Sequence, residues 1–511
     1  MRSRKALRNM TSSLLLQFVT VVCGMIVPRL FLVHFGSTVN ATVASITQFL
    51  GYIALFEAGV GGVVRAALYK PLAEKDSLRI SRILRATDHF FRKVALVFIG
   101  YSLAVACIFP LFVREHFDFF YTAALVVIIA LSTFSQYYFG MSRQVLLQAD
   151  QKRYITADLQ ILTVLLNTVL TVILLEFGCS VHVVKLGTAF LYALRPVALR
   201  LYVRKNYAPD VHAEPDQSAI AQRWDGFGHH TAYFLHTNTD VFVLTVFSGV
   251  LRSLELTDVS VYTVYYSVVS GVERIVSAVS SGIEAAFGNM IAREESETLQ
   301  RNFRVYELFS FVITTILFTC TGLLLLPFLA VYTRGVTDAD YHRPLFGVLL
   351  TLAEAVYCIR IPYNNVTLAA GHYRQTRNGA FLEAGINIVG SVILVIPFGI
   401  CGVALATLLA MTVRTMQYAV YLSRHILQRR LSVFLGRCTV NILSSGACVL
   451  LFSVLPKPHV ASYWDWVLYA IPVFAVTAVV VLLVNSLCYR TDAENLWIIF
   501  KNSIQKRRSH K

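Results

Sequence analysis

Fourteen apolar stretches of about 20 residues or more recur along the chain, near 12–34, 40–63, 92–113, 119–140, 154–176, 180–202, 229–251, 257–281, 306–332, 344–366, 378–398, 400–422, 434–456 and 463–488. A stretch of that length spans the hydrocarbon core of a bilayer as a helix, because a helix satisfies its own backbone hydrogen bonds where no water can. The rest of the composition agrees: 56% of the residues are apolar and only 14% are charged, against roughly 25% charged in an ordinary soluble protein. The longest intervening segments, 64–91 and 203–228, are too short to bury a core of their own.

Basic residues orient the helices. With the amino terminus inside, 34 of the 45 Lys and Arg fall in inside segments and the helix ends beside them. Five fall in outside loops: Arg114, Arg252, Arg334, Arg343 and Lys457. Six lie within spans: Arg29, Lys185, Arg195, Arg274, Arg360 and Arg414. This asymmetry places both termini in the cytoplasm. It also accounts for the net charge of +16 by attraction to an anionic leaflet rather than to nucleic acid.

The segment EKDSLRISRILRATDHFFRK sets Leu78, Ile83, Leu84, Phe90 and Phe91 among Arg79, Arg82, Arg85, Arg92 and Lys93, a pattern that predicts an interfacial amphipathic helix. The first stretch has no small-residue cleavage site and is followed at once by another span, so it reads as a retained helix. The nine cysteines are scattered with no CxxC pair and read as small apolar residues. Gly59, Gly61 and Gly62 close a membrane helix, with no GK[ST] after them, so they read as a close helix approach or a hinge.

The chain repeats itself at an offset of about 220. Gly51, Ala58, Gly62, Ala66 and Glu74 align with Gly271, Ala278, Gly282, Ala286 and Glu294. Asn167 and the VILLEFG after it align with Asn387 and VILVIPFG; Arg195 and Tyr202 align with Arg414 and Tyr421. Six spans per half is an even number, so the halves share one orientation and form a parallel repeat whose pseudo-twofold lies along the membrane normal. The last two spans lie outside the repeat.

The duplicated six-plus-six pattern with two extra helices, the segment FEAGVGGVVRAALYKPLAE and the polar seventh span FLHTNTDVFVLTVFSG resemble the multidrug/oligosaccharidyl-lipid/polysaccharide exporter superfamily, and within it the polysaccharide flippase branch. The resemblance implies an all-α integral membrane protein of about 14 transmembrane helices: two parallel six-helix lobes of the MATE-like kind plus two C-terminal helices. The corresponding divisions are 1–205, a linker at 206–228, 229–430, and 431–511. It further implies two lobes rocking about a central cavity, with an oligosaccharide on polyprenyl pyrophosphate as cargo. Twelve spans are usual in that branch. Fourteen resembles the lipid II flippases of cell-wall synthesis, so that cargo, or an organic cation, remains an alternative.

Charges inside spans cost about 2.5–3.5 kcal/mol at a helix centre on insertion scales and normally face a cavity or a partner. Arg29, Arg65, Arg274 and Arg360 are the candidates for holding a pyrophosphate, since a guanidinium donates two parallel hydrogen bonds to phosphate oxygens. A structural ion pair is the competing role for each, most of all for Arg274, which has Glu273 and Glu284 nearby. Arg195 and Arg414, matched in the repeat, read as one architectural role served twice. Asp240 and Asn238 lie mid-span in HTNTD and are candidates for coupling to H⁺ or Na⁺, with Glu57, Glu273 and Glu354 as weaker ones and Glu383 another. His34, His182, His229 and His230 read as interfacial. No nucleophile, metal or cofactor spacing is present. The expectation is therefore a non-enzymatic flippase of a bacterial plasma membrane, embedded in the lipid bilayer, with a lipid-linked oligosaccharide as its ligand, no cofactor and a glycan polymerase of the same pathway as its candidate partner.

Overall fold

In the computed structural model, residues 2–56, 60–210, 212–218, 227–251, 254–280, 287, 290–291, 296–456 and 458–498 are described. They form α-helices with no strand among them: α1 (Arg2–Gly51), α2 (Val60–Glu74), α3 (Ser77–Phe112), α4 (Phe119–Ser135), α5 (Met141–Ala149), α6 (Arg153–Glu176), α7 (Val181–Tyr207), α8 (Phe227–Ser248), α9 (Leu256–Ser280), α10 (Ser296–Tyr332), α11 (Pro344–Ala369), α12 (Tyr373–His425), α13 (Ser432–Val454) and α14 (Tyr463–Cys488). A 3₁₀ turn, Tyr52–Phe56, follows α1, and a π turn, Gln136–Gly140, joins α4 to α5.

Among the described residues, two of the fourteen helices are broken by glycine. α1 breaks at Gly36 (φ 81°) and α12 at Gly399 (φ 54°), conformations that cost an L-side chain energy and a glycine little. The limb of α1 after Gly36 runs into the 3₁₀ turn, and α4 continues through the π turn into α5. Among the described residues, nine continuous stretches are long and apolar enough to cross a bilayer; two of them, 8–55 and 375–425, are 48 and 51 residues long and contain the two breaks.

The exposed and buried faces are inverted relative to a soluble protein. On α13, Ile442, Leu443, Leu450 and Val454 are exposed while Arg437, Asn441 and Ser444 are buried. An apolar outer surface of this extent is stable only against lipid, so the chain is a multi-pass membrane protein.

Close approach of helices rests on small residues. At the turn of α12, a Cβ on Gly402 would lie 2.0 Å from the Leu394 carbonyl oxygen, and one on Gly390 would lie 3.0 Å from the Ala406 Cβ. The hairpin of α6 and α7 turns on Gly178 (φ 69°), where the aligned FG of the second half has Gly399. The repeat is thus visible in backbone conformation as well as in sequence.

Hydropathy marks only the apolar middle of several helices. α3 runs unbroken from Ser77, and Ile83, Leu84 and Phe91 are buried against protein. The segment predicted to lie in the interface is instead the first third of α3, packed on α2 and α5. Nothing in its sequence stops the helix, so it propagates past the bilayer boundary.

The chain divides into two compact units, residues 1–264 with 335–339, and 265–334 with 340–511. In the first, α1 packs on α6 and α8, and α4 packs on α3 and α7; in the second, α11 packs on both limbs of α12, and α10 packs on α14.

Candidate functional site

In the first unit a seam of polar side chains joins α1, α8 and α9. At its centre Asp240 on α8 is 7% exposed, and its Oδ2 accepts a hydrogen bond of 2.7 Å from the Tyr262 hydroxyl on α9. One half-turn earlier, the Asn238 Oδ1 accepts from the Gln48 amide of α1 at 2.5 Å, while its own amide donates to the Phe234 carbonyl at 2.8 Å. The Tyr52 hydroxyl donates to the Asn238 carbonyl at 3.0 Å. Further along, Ser45 and Thr245 share a hydrogen bond of 2.7 Å, and Asn40 donates to the Ser260 Oγ at 2.8 Å. Asp338 closes the row, accepting from the Ser37 amide and hydroxyl at 2.6 and 2.8 Å; this caps the helical limb that starts after the Gly36 break.

Sequence explains why this seam forms. Ser37, Asn40, Ser45, Gln48 and Tyr52 recur every three to five residues, so they share one face of the helix. In hydrocarbon such a face is stable only against another polar face, which the NTD of α8 supplies.

The cations predicted to hold phosphate have different surroundings. Arg29 is half-buried on the limb of α1 before Gly36, and Arg65 on α2 donates to the Gln148 Oε1 of α5 at 2.9 Å. In the second unit Arg274 is exposed on α9, whereas Arg360 on α11 is 6% exposed and ion-paired with Glu383 of α12. Glu383 also meets the Arg414 Nε at 3.6 Å, and that guanidinium donates to the Thr376 carbonyl at 2.8 Å and the Tyr418 hydroxyl at 2.9 Å. Glu273 accepts from Ser277 at 2.5 Å, and Glu354 is buried on α11. Glu57 and Glu284 lie outside the described residues, as do the side chains of His229, His230 and His236.

A second ionic cluster was not foreseen. Glu307, with no exposed surface, is ion-paired with Arg429, accepts from Tyr363, and lies 3.0 Å from the Arg437 Nε. Arg437 on α13 continues to Asp492 at 2.6 Å. Two carboxylates and two guanidiniums therefore tie α13 and the residues after α14 to α10 and α11. A lone charge near the end of a span ordinarily reaches for water, so neither Glu307 nor Arg437 is marked by hydropathy as half of a pair. An apolar groove of about 460 Å³ lies beside this cluster, lined by Leu308 and Val312 of α10, Leu482, Asn485 and Ser486 of α14, and Ala493, Leu496 and Trp497.

At the C-terminal ends of α5 and α7, the Lys152 ammonium lies 2.7 Å from Asp150 and donates to the Tyr207 hydroxyl at 3.0 Å. Burial alone would lower its pKa, but the hydrogen bonds to Asp150 and Tyr207 outweigh that and hold it above the usual lysine value. Tyr207 is likewise raised, by burial and by its hydrogen bond to Asp150.

No family model matches the sequence, and no curated protein matches it either. Solved structures do match in fold. Lipid II flippase MurJ in an inward closed conformation is similar with a TM-score of 0.67 at 15% identity, over 93% of this chain and 98% of that one. An inward-facing multidrug resistance MATE family transporter of the MOP superfamily is similar with a TM-score of 0.60 at 14% identity, over 80% and 94%. A eukaryotic MATE transporter gives 0.54 at 13% identity, over 82% and 95%. This chain thus shares the fold of a lipid II flippase and of MATE family transporters.

Proposed function

We propose that this protein is a flippase that carries a polyprenyl-pyrophosphate-linked glycan from the cytoplasmic to the outer leaflet of a bacterial plasma membrane, by alternating access and without covalent chemistry. The observation that carries this reading is the end-to-end likeness to a lipid II flippase, 93% of this chain against 98% of that one, where the multidrug transporter covers 80%. The apolar groove beside α14 supports it, because a prenyl tail needs a hydrocarbon-lined path. A pyrophosphate headgroup needs guanidinium partners; Arg29, Arg65, Arg274 and Arg360 are assigned that work, with Arg360 exchanging Glu383 for the cargo. An oligosaccharide is the proposed glycan and the muropeptide of lipid II the alternative, and a glycan polymerase would consume the product.

Asp240 is the proposed site of ion coupling. It is a buried carboxylate on α8 hydrogen-bonded to Tyr262, and carboxylates at that depth in a membrane mark ion and proton pathways. Asn238, Glu57, Glu273 and Glu354 are assigned supporting roles.

One observation favours a second reading, export of an organic cation. Tyr52 packs edge-on against Phe234 and Phe242 beside the acidic seam, and an acid among aromatic rings suits a cationic ligand. Deleting the gene in its host separates the two. The flippase reading predicts a lipid-linked glycan intermediate accumulating on the cytoplasmic leaflet; drug sensitivity with no such accumulation would overturn it.

A further inference from the structure

Arg195 and Arg414 are equivalent in the repeat, yet only one has an anion. Arg414 is held by Glu383, the Thr376 carbonyl, Gln417 and Tyr418. At the repeat offset of 220 the place of Glu383 is taken by Thr163, whose hydroxyl is spent on the Leu159 carbonyl at 2.7 Å. Gln417 and Tyr418 are replaced at the offset of 219 by Ala198 and Leu199. The Arg195 Nε is shut off from solvent and meets no acceptor among the described residues.

A second cation, Lys185, stands on the same helix. Its ammonium lies 4.2 Å from the centre of the Phe31 ring of α1, a cation–π contact. Among the described residues, no carboxylate lies within ion-pair distance of Lys185 or Arg195.

Both point inward. The lipid-facing side of α7 is marked by Val183, Leu186, Phe190, Leu194, Val197 and Leu201, all exposed. At 100° per residue, Lys185, Tyr192 and Arg195 fall on the opposite face. Arg195 is the fifteenth of the 27 residues of α7, about 20 Å from the outer end, beyond the reach of its side chain to water. Helix packing alone is poorly served by a cation at that depth with no counter-charge.

We propose that Lys185 and Arg195 form an anion path on the inner face of α7, about 15 Å long, in which Arg195 takes the pyrophosphate of the cargo and Lys185 receives it nearer the outer leaflet. The inference rests on the flippase reading for the identity of the cargo, but not for the presence of an anion site. Arg195 occurs in the first half what Arg414 is in the second, with the ligand standing where Glu383 would be.

The test uses the full-length protein in nanodiscs, with inorganic pyrophosphate and farnesyl pyrophosphate as probes, and reads binding by calorimetry and folding by Tm. The expected result is that Arg195→Gln weakens both probes at least tenfold and Lys185→Met severalfold, with Tm held or raised, while Arg195→Lys recovers most of the affinity. Arg414→Gln should instead lower Tm. Equal affinity in wild type and Arg195→Gln, or a lowered Tm with no change in affinity, would overturn the site and leave the flippase reading in place. Arg195-dependent binding of inorganic pyrophosphate without any binding of farnesyl pyrophosphate would uphold the site and count against the cargo. Failure of the wild type to bind either probe would overturn both.

Discussion

The Tyr262 hydroxyl donates to the Asp240 Oδ2 at 2.7 Å, fixing a buried carboxylate of α8 against α9. Carboxylates at such depth in a span mark ion pathways. Replacing Asp240 by Asn removes the titrating oxygen while keeping the shape. We expect Asp240→Asn to fold, to retain ligand binding and to lose the dependence of transport on an imposed ion gradient; a gradient dependence unchanged from wild type excludes Asp240 as the coupling site.

Tyr262→Phe removes only the donor. Leaving a buried acceptor without that donor costs roughly 1–3 kcal/mol, so a fall in Tm is expected. An unchanged Tm would show that the bond does not hold α8 against α9.

Glu307 balances Arg429 and Arg437 with no surface exposed. Removing one partner of a buried ionic cluster leaves uncompensated charge, at about 3–5 kcal/mol. Glu307→Gln should therefore lower Tm and raise hydrogen exchange across α13 and α14 before the other helices. Uniform exchange along the chain would show that the cluster does not anchor them.

Glycine positions separate by what surrounds them. A Cβ on Gly402 would sit 2.0 Å from the Leu394 carbonyl oxygen, whereas one on Gly446 of α13 meets nothing within 4 Å. Gly402→Ala should reduce the folded yield and lower Tm, by an overpacking cost of about 1–3 kcal/mol; Gly446→Ala should be neutral or slightly stabilising. Equal effects would refute the tight turn of α12.

Lys152 and Tyr207 are both raised above their ordinary pKa values in the folded protein. A raised folded pKa means stabilisation that is complete below the unfolded value, about 10 for both groups, and lost as the pH climbs beyond it. Lys152→Met should accordingly lower Tm by the same amount at pH 6 and pH 9, with the gap to wild type closing only in stronger alkali. A gap that changes between pH 6 and pH 9 would mean that another group titrates there.

Much of this was legible in the sequence, for a physical reason. A bilayer demands about 20 apolar residues per crossing, so fourteen rods could be counted, and Gly178 and Gly399 stand where the aligned turns require positive φ. Asp240 and Asn238 stood out because polar residues at that depth are rare. Their partners Gln48 and Tyr52 did not, since which faces meet depends on packing over as many as 190 residues of separation. The Glu307 cluster was hidden in the same way: Arg429 lies 122 residues away, and each member taken alone looks like a charge at a helix end. The N-terminal extension of α3 escaped because hydropathy reports where a helix meets lipid and not where it stops.

Movement of the cargo itself is the most direct measurement. With the purified protein in liposomes and a fluorescent polyprenyl-pyrophosphate disaccharide in the membrane, leaflet exchange is followed by quenching with a membrane-impermeant reductant. The account predicts protein-dependent exchange that responds to an imposed H⁺ or Na⁺ gradient and that Asp240→Asn uncouples from it. A labelled lipid that stays in its original leaflet, in vesicles where the same protein moves an organic cation, would contradict it.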